Sequence, residues 1–387
     1  MRNNQKRIIL FLTILLTACI LSGCWDTNES ERMVYVQGIG VDYNGLKYTI
    51  YIQIVNTSLT AKSEVRGDIT STKVVVGHAS GKTLNEAAFN LYASIQRRLF
   101  WGHLSFIVFS EQALKKGDIR ATIDRFDRYR ETRYSLNLYA TKEPLSEVLK
   151  SVPPLSLAPS LSKLGDPRAT YEQRSFIRPL DMREFLIAIN EPPHEAIIPY
   201  IRLAKNTWET ETTNSSPLIE FAGVAALTKN GLKLMAPFKN VKGLRWMNKD
   251  FKREELSLTN ELSHVSLIVW KLKPKKKTIV KNGQIQFQLS LDVTASLSEI
   301  VRPEQLTKIE MESEKLIKAQ ILATYLEGLK HHVDIFRLSE EAYRKNVKAW
   351  KEIEQNGKVP LTKESLQKIT VKVKVKQGEK QKLRPTI

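Results

Sequence analysis

Residues 285–297, "IQFQLSLDVTASL", set Ile285, Phe287, Leu289, Leu291, Val293, Ala295 and Leu297 at every second position with polar residues between. A side-chain period of two belongs to a pleated strand with one buried and one solvated face. At the rise of a strand this stretch reaches about 40 Å. Asn282-Gly283, immediately upstream, has the left-handed preference of a tight hairpin turn, so the strand is predicted to run antiparallel to its predecessor.

The same signature recurs. Asn44-Gly45 lies between the apolar run Val34–Val41 and "YTIYIQIV", where Ile50, Ile52 and Ile54 share a face, and Asn230-Gly231 lies inside "IEFAGVAALTKNGLKL". Between the hairpins the period changes. Thr83 and Glu86 form a capping box before Leu84, Ala87, Ala88, Leu91 and Ile95, which predicts a helix over 84–98. Residues 62–71 are polar and read as a loop, and "KVVVG" at 73–77 as a short strand. "LSFIVF" at 104–109 and "YSLNLYA" at 134–140 read as further strands, separated by a short helix over Glu111–Lys116 that Gly117 closes. Pro153, Pro154 and Pro159, and later "EPPHEAIIP" at 191–199, interrupt regular structure around a helix predicted over Asp181–Ile189. The polar stretch "TWETETTNSS" at 207–216 then reads as a linker.

After the long strand, a helix opening at Pro303 carries Leu306, Ile309, Leu316, Ile317 and Ile321 as an apolar stripe. A second, from about Ser339 to Gly357, is expected to bury Tyr343, Val347, Trp350 and Ile353. The closing "ITVKVKVK" alternates Val371, Val373 and Val375 inward with Lys372, Lys374 and Lys376 outward, and the run Lys271–Lys277 reads as a solvated surface loop. The expectation is a multi-domain α+β protein with mixed, mostly antiparallel sheets and packed helices. Its three domains are an α/β unit at 24–150, a middle domain or ordered connection at 151–216, and a C-terminal antiparallel sheet with long helices at 217–387.

The first residues are of another kind. The apolar run "IILFLTILLTACI" at 8–20 would reach only about 20 Å as a helix, short of the ~30 Å hydrocarbon layer. Arg2, Lys6 and Arg7 precede it and Ser22-Gly23 follow, the layout of an export signal. Leu21, Ser22, Gly23 and Cys24 match a lipoprotein box. Residues 1–23 are therefore expected to be cleaved, and the Cys24 thiol to become an S-diacylglycerol thioether, with the freed amine open to N-acylation. Two acyl chains anchor stably where one does not. Cys19 departs with the signal, which excludes disulfides, cysteine zinc sites and cysteine nucleophiles from the mature chain.

The formal charge is 60 − 41 = +19, and without Arg2, Lys6 and Arg7 it is +16. Export argues against nucleic acid and for an anionic membrane surface or cell-wall polymer as counterion. The search for chemistry finds no site. In "GIGVDY", Tyr43 stands where a dinucleotide fingerprint needs its third glycine after Gly38 and Gly40. His331 and His332 adjoin Asp334 without a further ligand at metal spacing. His78, His103, His194 and His264 are scattered without a nucleophile motif. No catalytic, cofactor-binding or metal-binding residue is assigned.

Three stretches together carry a resemblance: "SGCWDTNESERMVYVQGIGVDYNGLKYTIYIQIVN", "GKTLNEAAFNLYASIQRRLFWGHLSFIVFSE" and "VDIFRLSEEAYRKNVKAWKEI". In this order they resemble the Ger(x)C family, the lipoprotein subunits of spore germinant receptors, across nearly the whole mature chain. The resemblance implies a three-domain α+β body without catalytic activity and a complex with two integral membrane subunits. It also implies placement by lipid on the outer face of the spore inner membrane. The region from "SVPPLSLAPS" to "EPPHEAIIP" matches the family least. The alternative is a lipoprotein that captures a small solute for a transporter. That would require two similar α/β lobes around a cleft, and the two ends of this chain differ in pattern.

Overall fold

The computed structural model describes residues 2–21, 32–55, 74–128, 131–153, 159–204, 207–208, 217–259, 264–281, 283–301 and 304–376. The loop predicted at 62–71 lies outside the described residues. Helix α1 (Arg2–Leu21) carries the apolar N-terminal run, and no helix among the described residues is long and apolar enough to cross a membrane.

Asn44-Gly45 and Asn230-Gly231 make the turns expected of them, whereas Asn282 lies outside the described residues. Strands β1 (Met33–Tyr43) and β2 (Tyr48–Val55) form an antiparallel hairpin with Gly45 at φ +95°, and β3 (Val74–Gly81) continues the meander on the far side of β2. Helix α2 (Leu84–Tyr92) starts at the predicted cap, where Thr83 Oγ1 accepts from Glu86 N at 3.1 Å and the Glu86 carboxylate accepts from Lys82 N at 2.7 Å. It ends at Tyr92 rather than near 98. The chain turns there so that β4 (Arg98–Phe100) can run parallel beside β1, while Ile95 still packs on the core.

Next come β5 (Phe106–Ser110), α3 (Glu111–Lys116), α4 (Ile119–Asp127), β6 (Asn137–Thr141), α5 (Leu145–Lys150), α6 (Pro167–Gln173) and α7 (Met182–Asn190). Strands β7 (Glu195–Ala204), β8 (Leu218–Thr228) and β9 (Gly231–Pro237) complete a sheet of nine described strands. Its order is β3-β2-β1-β5-β6-β7-β8-β9, with β4 beside β1. Pairings are parallel from β1 through β5 and β6 to β7, and antiparallel toward both edges.

Hydrogen bonding in this sheet crosses the positions 150 and 216 where sequence composition suggests boundaries. The segment 151–216 supplies an interior strand to the N-terminal sheet, and residues beyond 217 extend that sheet. Pro199 lies inside β7, paired in register with Val224 of β8 and outside the short register with β6 at Tyr200 and Ile201.

The second sheet has the order β10 (Glu254–Thr259), β11 (His264–Lys281), β12 (Gln284–Ile300), β13 (Leu366–Lys376). Strand β12 has the period read from it: Ile285, Phe287, Leu289, Leu291, Val293 and Ala295 are all buried. Its last pairing departs from the antiparallel expectation. Strands β12 and β13 are parallel, joined by a crossover through α8 (Leu306–Lys330), α9 (Leu338–Lys345) and α10 (Val347–Ile353).

Helix α8 lays Ile309, Ile317, Ile321 and Tyr325 on the core, with Leu306 and Leu316 packed at its margin. The predicted helix from Ser339 to Gly357 is two helices. The backbone leaves helical dihedrals at Asn346 (φ −141°), leaving Val347 46% exposed while Trp350 turns inward onto Tyr343, ring centroids 4.9 Å apart. The run Lys271–Lys277 is not a loop but the middle of β11.

Both sheets share one core. Val224, Ala226, Leu234 and Ala236 of the first pack with the inner faces of β11–β13 and with α8. The free edge of β13 is closed by its own crossover: the N–H groups of Val373 and Val375 donate to the carboxylates of Glu314 (3.0 Å) and Glu310 (2.8 Å). That satisfies donors which would otherwise template another strand.

The Gly-x-Gly of β1 has a packing cause. The Phe106 ring lies so close over Gly38 that a Cβ there would stand 2.1 Å from the ring. Gly38→Ala should therefore destabilise the protein by about 1–3 kcal/mol, the usual cost of overpacking. Phe106→Leu, which makes room, should recover part of that loss in a double variant, as followed by thermal unfolding.

Candidate functional site

The least expected chemistry in the molecule surrounds Glu195, the first residue of β7 and the end of the Pro-rich turn. Its side chain is 2% exposed. A carboxylate so buried must find several partners or lose its charge, and here they come from the far end of the chain. Lys358 Nζ donates to Glu195 Oε1, Asp334 N donates to Oε2 at 2.8 Å, and Arg337 Nη1 donates to the Glu195 carbonyl. Burial still pushes the carboxyl above its ordinary range, with the Lys358 ammonium pulling the other way.

The residues that hold Glu195 are themselves held. The Asp334 carboxylate accepts from Leu338 N (2.8 Å) and Ser339 N (2.6 Å), capping α9, and Ser339 Oγ accepts from Val359 N at 3.0 Å. Arg337 also pairs with Glu340 at 2.5 Å. The non-glycine residues in the left-handed region among the described residues, His194, His332, Arg337 and Asn356, all lie around this junction. Such backbone costs free energy and persists where surrounding contacts over-determine it. Gly357, at φ +80°, is required too, since a Cβ there would stand 2.4 Å from the His194 ring.

A second buried ion pair lies nearby. Glu254, 1% exposed, accepts from Arg174 Nε at 2.9 Å and lies 3.4 Å from Arg245 Nη1; the Arg245 guanidinium rests 4.3 Å over the Trp246 ring.

The histidines are dispersed. His103 stacks on Tyr35 at 4.6 Å, His78 meets the edge of Tyr51, and His194 Nδ1 lies 3.0 Å from the Ile189 carbonyl. His331 is 3.8 Å from Glu327, and His264 opens β11. Among the described residues no group of three or more His, Cys, Asp or Glu could hold a metal ion. Asp42 accepts from Ser110 Oγ and from Tyr43 N. Cys24 lies outside the described residues.

One surface is chemically distinctive. The outward positions of β11 are Lys271, Lys273, Lys275 and Lys277, and those of β13 include Lys368, Lys372, Lys374 and Lys376, all exposed. Register places Lys271 and Lys374 on either side of Thr294, Lys273 and Lys372 on either side of Asp292, and Lys277 and Lys368 on either side of Gln288. The result is an open stretch of sheet face with eight lysines and Asp292 between them, while the exposed carboxylates of Glu255 and Glu299 lie further along the same face.

With this geometry in hand, the chain can be compared with known proteins. The family described as "Spore germination protein N-terminal domain" matches residues 26–203, and "Spore germination B3/ GerAC like, C-terminal" matches residues 222–378. The chain belongs to the GerAC-like spore germination protein family. Among relatives in this family, Spore germination protein KC of Bacillus subtilis (strain 168) is 22% identical, with 95% of this chain and 94% of the relative aligned. Spore germination protein B3 of the same organism is 21% identical over 79% of this chain and 77% of the relative. The crystal structure of the GerBC protein superposes with a TM-score of 0.52 at 16% identity, over 87% of this chain and 96% of that one, and shares the α+β architecture of two linked sheet units. The first family segment ends in β7 and the second begins within β8, its neighbour in one sheet, and the Asp-Ile-Phe stretch noted in the sequence is the loop that grips Glu195.

Sequence reading named Asp334 only as a neighbour of two histidines, and it did not single out Glu195 or Lys358. Their pairing spans more than 160 residues and leaves no local pattern. Lys358→Met should strand the Glu195 carboxylate. The expected loss is about 2–4 kcal/mol, at the low end of the range for breaking buried pairs because Lys358 is partly exposed. Folding raises the Glu195 pKa, so this penalty is present at neutral pH and relieved as pH falls through the folded value. Glu195→Gln in the same chain should restore much of the stability at pH 7. Equal unfolding midpoints for the single and double variants would contradict the pairing.

Proposed function

We propose that the chain is the lipid-anchored, non-catalytic subunit of a spore nutrient germinant receptor, required for receptor assembly and the germination response. In this reading a diacylglyceryl thioether on Cys24 tethers it to the outer face of the spore inner membrane, where it joins two integral membrane subunits. The observation that carries the proposal is the family match, which runs in order through both halves of the chain. The lipoprotein box supports the anchor: an apolar run too short to span the bilayer, followed by Leu21-Ser22-Gly23-Cys24. A non-catalytic role accords with the use made of the buried polar groups. Glu195, Asp334, Lys358, Arg245 and Glu254 are engaged with one another or with backbone.

The lysine face supports an anionic membrane surface as a further partner. Lysines near such a surface each gain about 1 kcal/mol, and the gain decays within a Debye length. The solute-capture alternative has less support, because the nine-stranded and four-stranded units are dissimilar lobes.

Cys24→Ala should release the protein from the membrane fraction or leave it unprocessed, and spores carrying it should respond poorly to nutrients. Normal membrane fractionation of the variant would overturn the anchor. Replacing Lys271, Lys273, Lys372 and Lys374 by Gln should leave stability within about 1 kcal/mol, as for other surface changes. It should weaken binding to vesicles containing anionic lipid at least about tenfold, and added salt should mimic the effect. Unchanged vesicle binding would remove the face from the proposal.

A further inference from the structure

Within the run Lys271–Lys277 one lysine breaks the pattern. Strand β11 turns Lys271, Lys273, Lys275 and Lys277 to solvent, whereas Lys276 lies on the inner side with Leu272 and Pro274. There it borders a cavity of about 420 Å³, enclosed by α7, the start of β7, the 3-10 turn at Lys242–Met247 and the loop Ile335–Arg337. The volume lies within the ~300–1,000 Å³ of small-molecule sites. The walls are mainly apolar, with Phe176, Ile197, Leu244, Met247 and Phe336 among them, and Ile187, 43% exposed, stands at the lining.

The cations around this cavity are not equivalent. Of those that are buried or half-buried, Arg178 is taken by Glu184 and by Asp250 (2.7 Å), Arg245 by Glu254, and Arg337 by Glu340, while Arg183 on α7 is exposed at the lining. Lys276 has no such partner among the described residues. Its ammonium donates to the Phe336 carbonyl, one use of three donors. Asp334, the acid whose field reaches it most, directs its carboxylate to the first N–H groups of α9. Burial accordingly lowers the Lys276 pKa. A half-buried cation with spare donors beside an apolar hollow is complementary to an anion that carries an apolar body.

We infer that this cavity binds a small carboxylate with an apolar body, its carboxylate held by Lys276 and its body lying against Phe176, Ile197, Met247 and Phe336. The inference does not rest on the receptor reading. Binding is measured on the full chain, and its failure would leave membrane fractionation of Cys24→Ala unaffected.

The test uses 4-phenylbutanoate as the probe, with 4-phenylbutan-1-ol and 4-phenylbutylamine as neutral and cationic bodies of the same shape. Each is titrated calorimetrically into the full chain held in zwitterionic lipid nanodiscs, with empty nanodiscs subtracted. The carboxylate should bind saturably at one site, and the alcohol at least about tenfold more weakly, the worth of one charge-assisted hydrogen bond. Lys276→Met, which keeps the length of the stem, should abolish that preference. Ile187→Glu places a negative charge at the cavity without disturbing the core, and should weaken the carboxylate and favour the amine. The proposal is overturned if wild-type protein shows no saturable binding, or binds carboxylate and alcohol alike. It is equally overturned if Lys276→Met keeps the preference. Should Lys276→Met not fold, an unchanged carboxylate affinity in Ile187→Glu decides against it.

Discussion

The burial of one carboxylate constrains the way the two ends of this chain come together. Glu195 opens β7, in the interior of the first sheet, and is removed from water. An ionised carboxylate in that position is stable only if charge and hydrogen bonds are supplied to it. Everything supplied comes from residues 334–358: the Asp334 amide, the Arg337 guanidinium at the backbone carbonyl, and the Lys358 ammonium. Docking of the crossover helices on the first sheet is thus a condition for burying Glu195. The left-handed residues at 194, 332, 337 and 356 are positions where that docking overrides local backbone preference. Apolar contact between the sheets provides the larger driving force, but it is non-directional; the polar grip selects one relative placement.

What could be read from the sequence is what neighbouring residues decide among themselves. The alternation of β12, the turns at Asn44-Gly45 and Asn230-Gly231, the capping box at Thr83 and the helix closed by Gly117 follow from local sterics and local hydrogen bonds, and each is present. Three features were not legible because remote partners decide them. The helix expected to reach 98 stops at Tyr92 because β1 offers Arg98–Phe100 an edge. The helix expected from Ser339 to Gly357 breaks at Asn346 because Trp350 packs back on Tyr343. Composition marks 151–216 as a separate stretch, yet the sheet runs through it, since hydrogen bonding to β6 and β8 is invisible in a Pro-rich sequence. The candidate site follows the same rule. The expectation for Cys24 rests on a local box of four residues, whereas Glu195 and Lys358 are ordinary surface-type residues until the fold joins them.

The second sheet shows how a single element divides its labour between core and surface. Its inner face is closed by α8 and by part of the first sheet, and the carboxylates of Glu310 and Glu314 on α8 occupy the outward N–H groups of β13. With core and edge both satisfied, the outer face is left for charge. Eight lysines on one flat face repel one another, and nothing in folding requires them there. The fold tolerates this repulsion with Asp292 the one carboxylate set between paired lysines.

The arrangement of β11 turns on one residue. Its first inward positions are Val265, Leu267 and Val269, and strict alternation would continue through 271, 273, 275 and 277, driving four ammonium groups into the shared core. Each would cost several kcal/mol without a partner. The register instead slips at Trp270: Val269 pairs with Ala295 and Lys271 with Thr294, so a bulge absorbs one residue and reverses the faces of everything after it. Trp270 itself stays at the surface, with the Lys376 ammonium 5.2 Å over its ring. The slip sends Lys271, Lys273, Lys275 and Lys277 to solvent, and by the same parity it sends Lys276 inward. The basic face and the lone inner cation therefore have a common origin: a sequence with lysines at consecutive positions 275, 276 and 277 cannot place them all on one side of a strand. The one on the inner side meets a cavity where Arg178, Arg245 and Arg337 already have acids of their own.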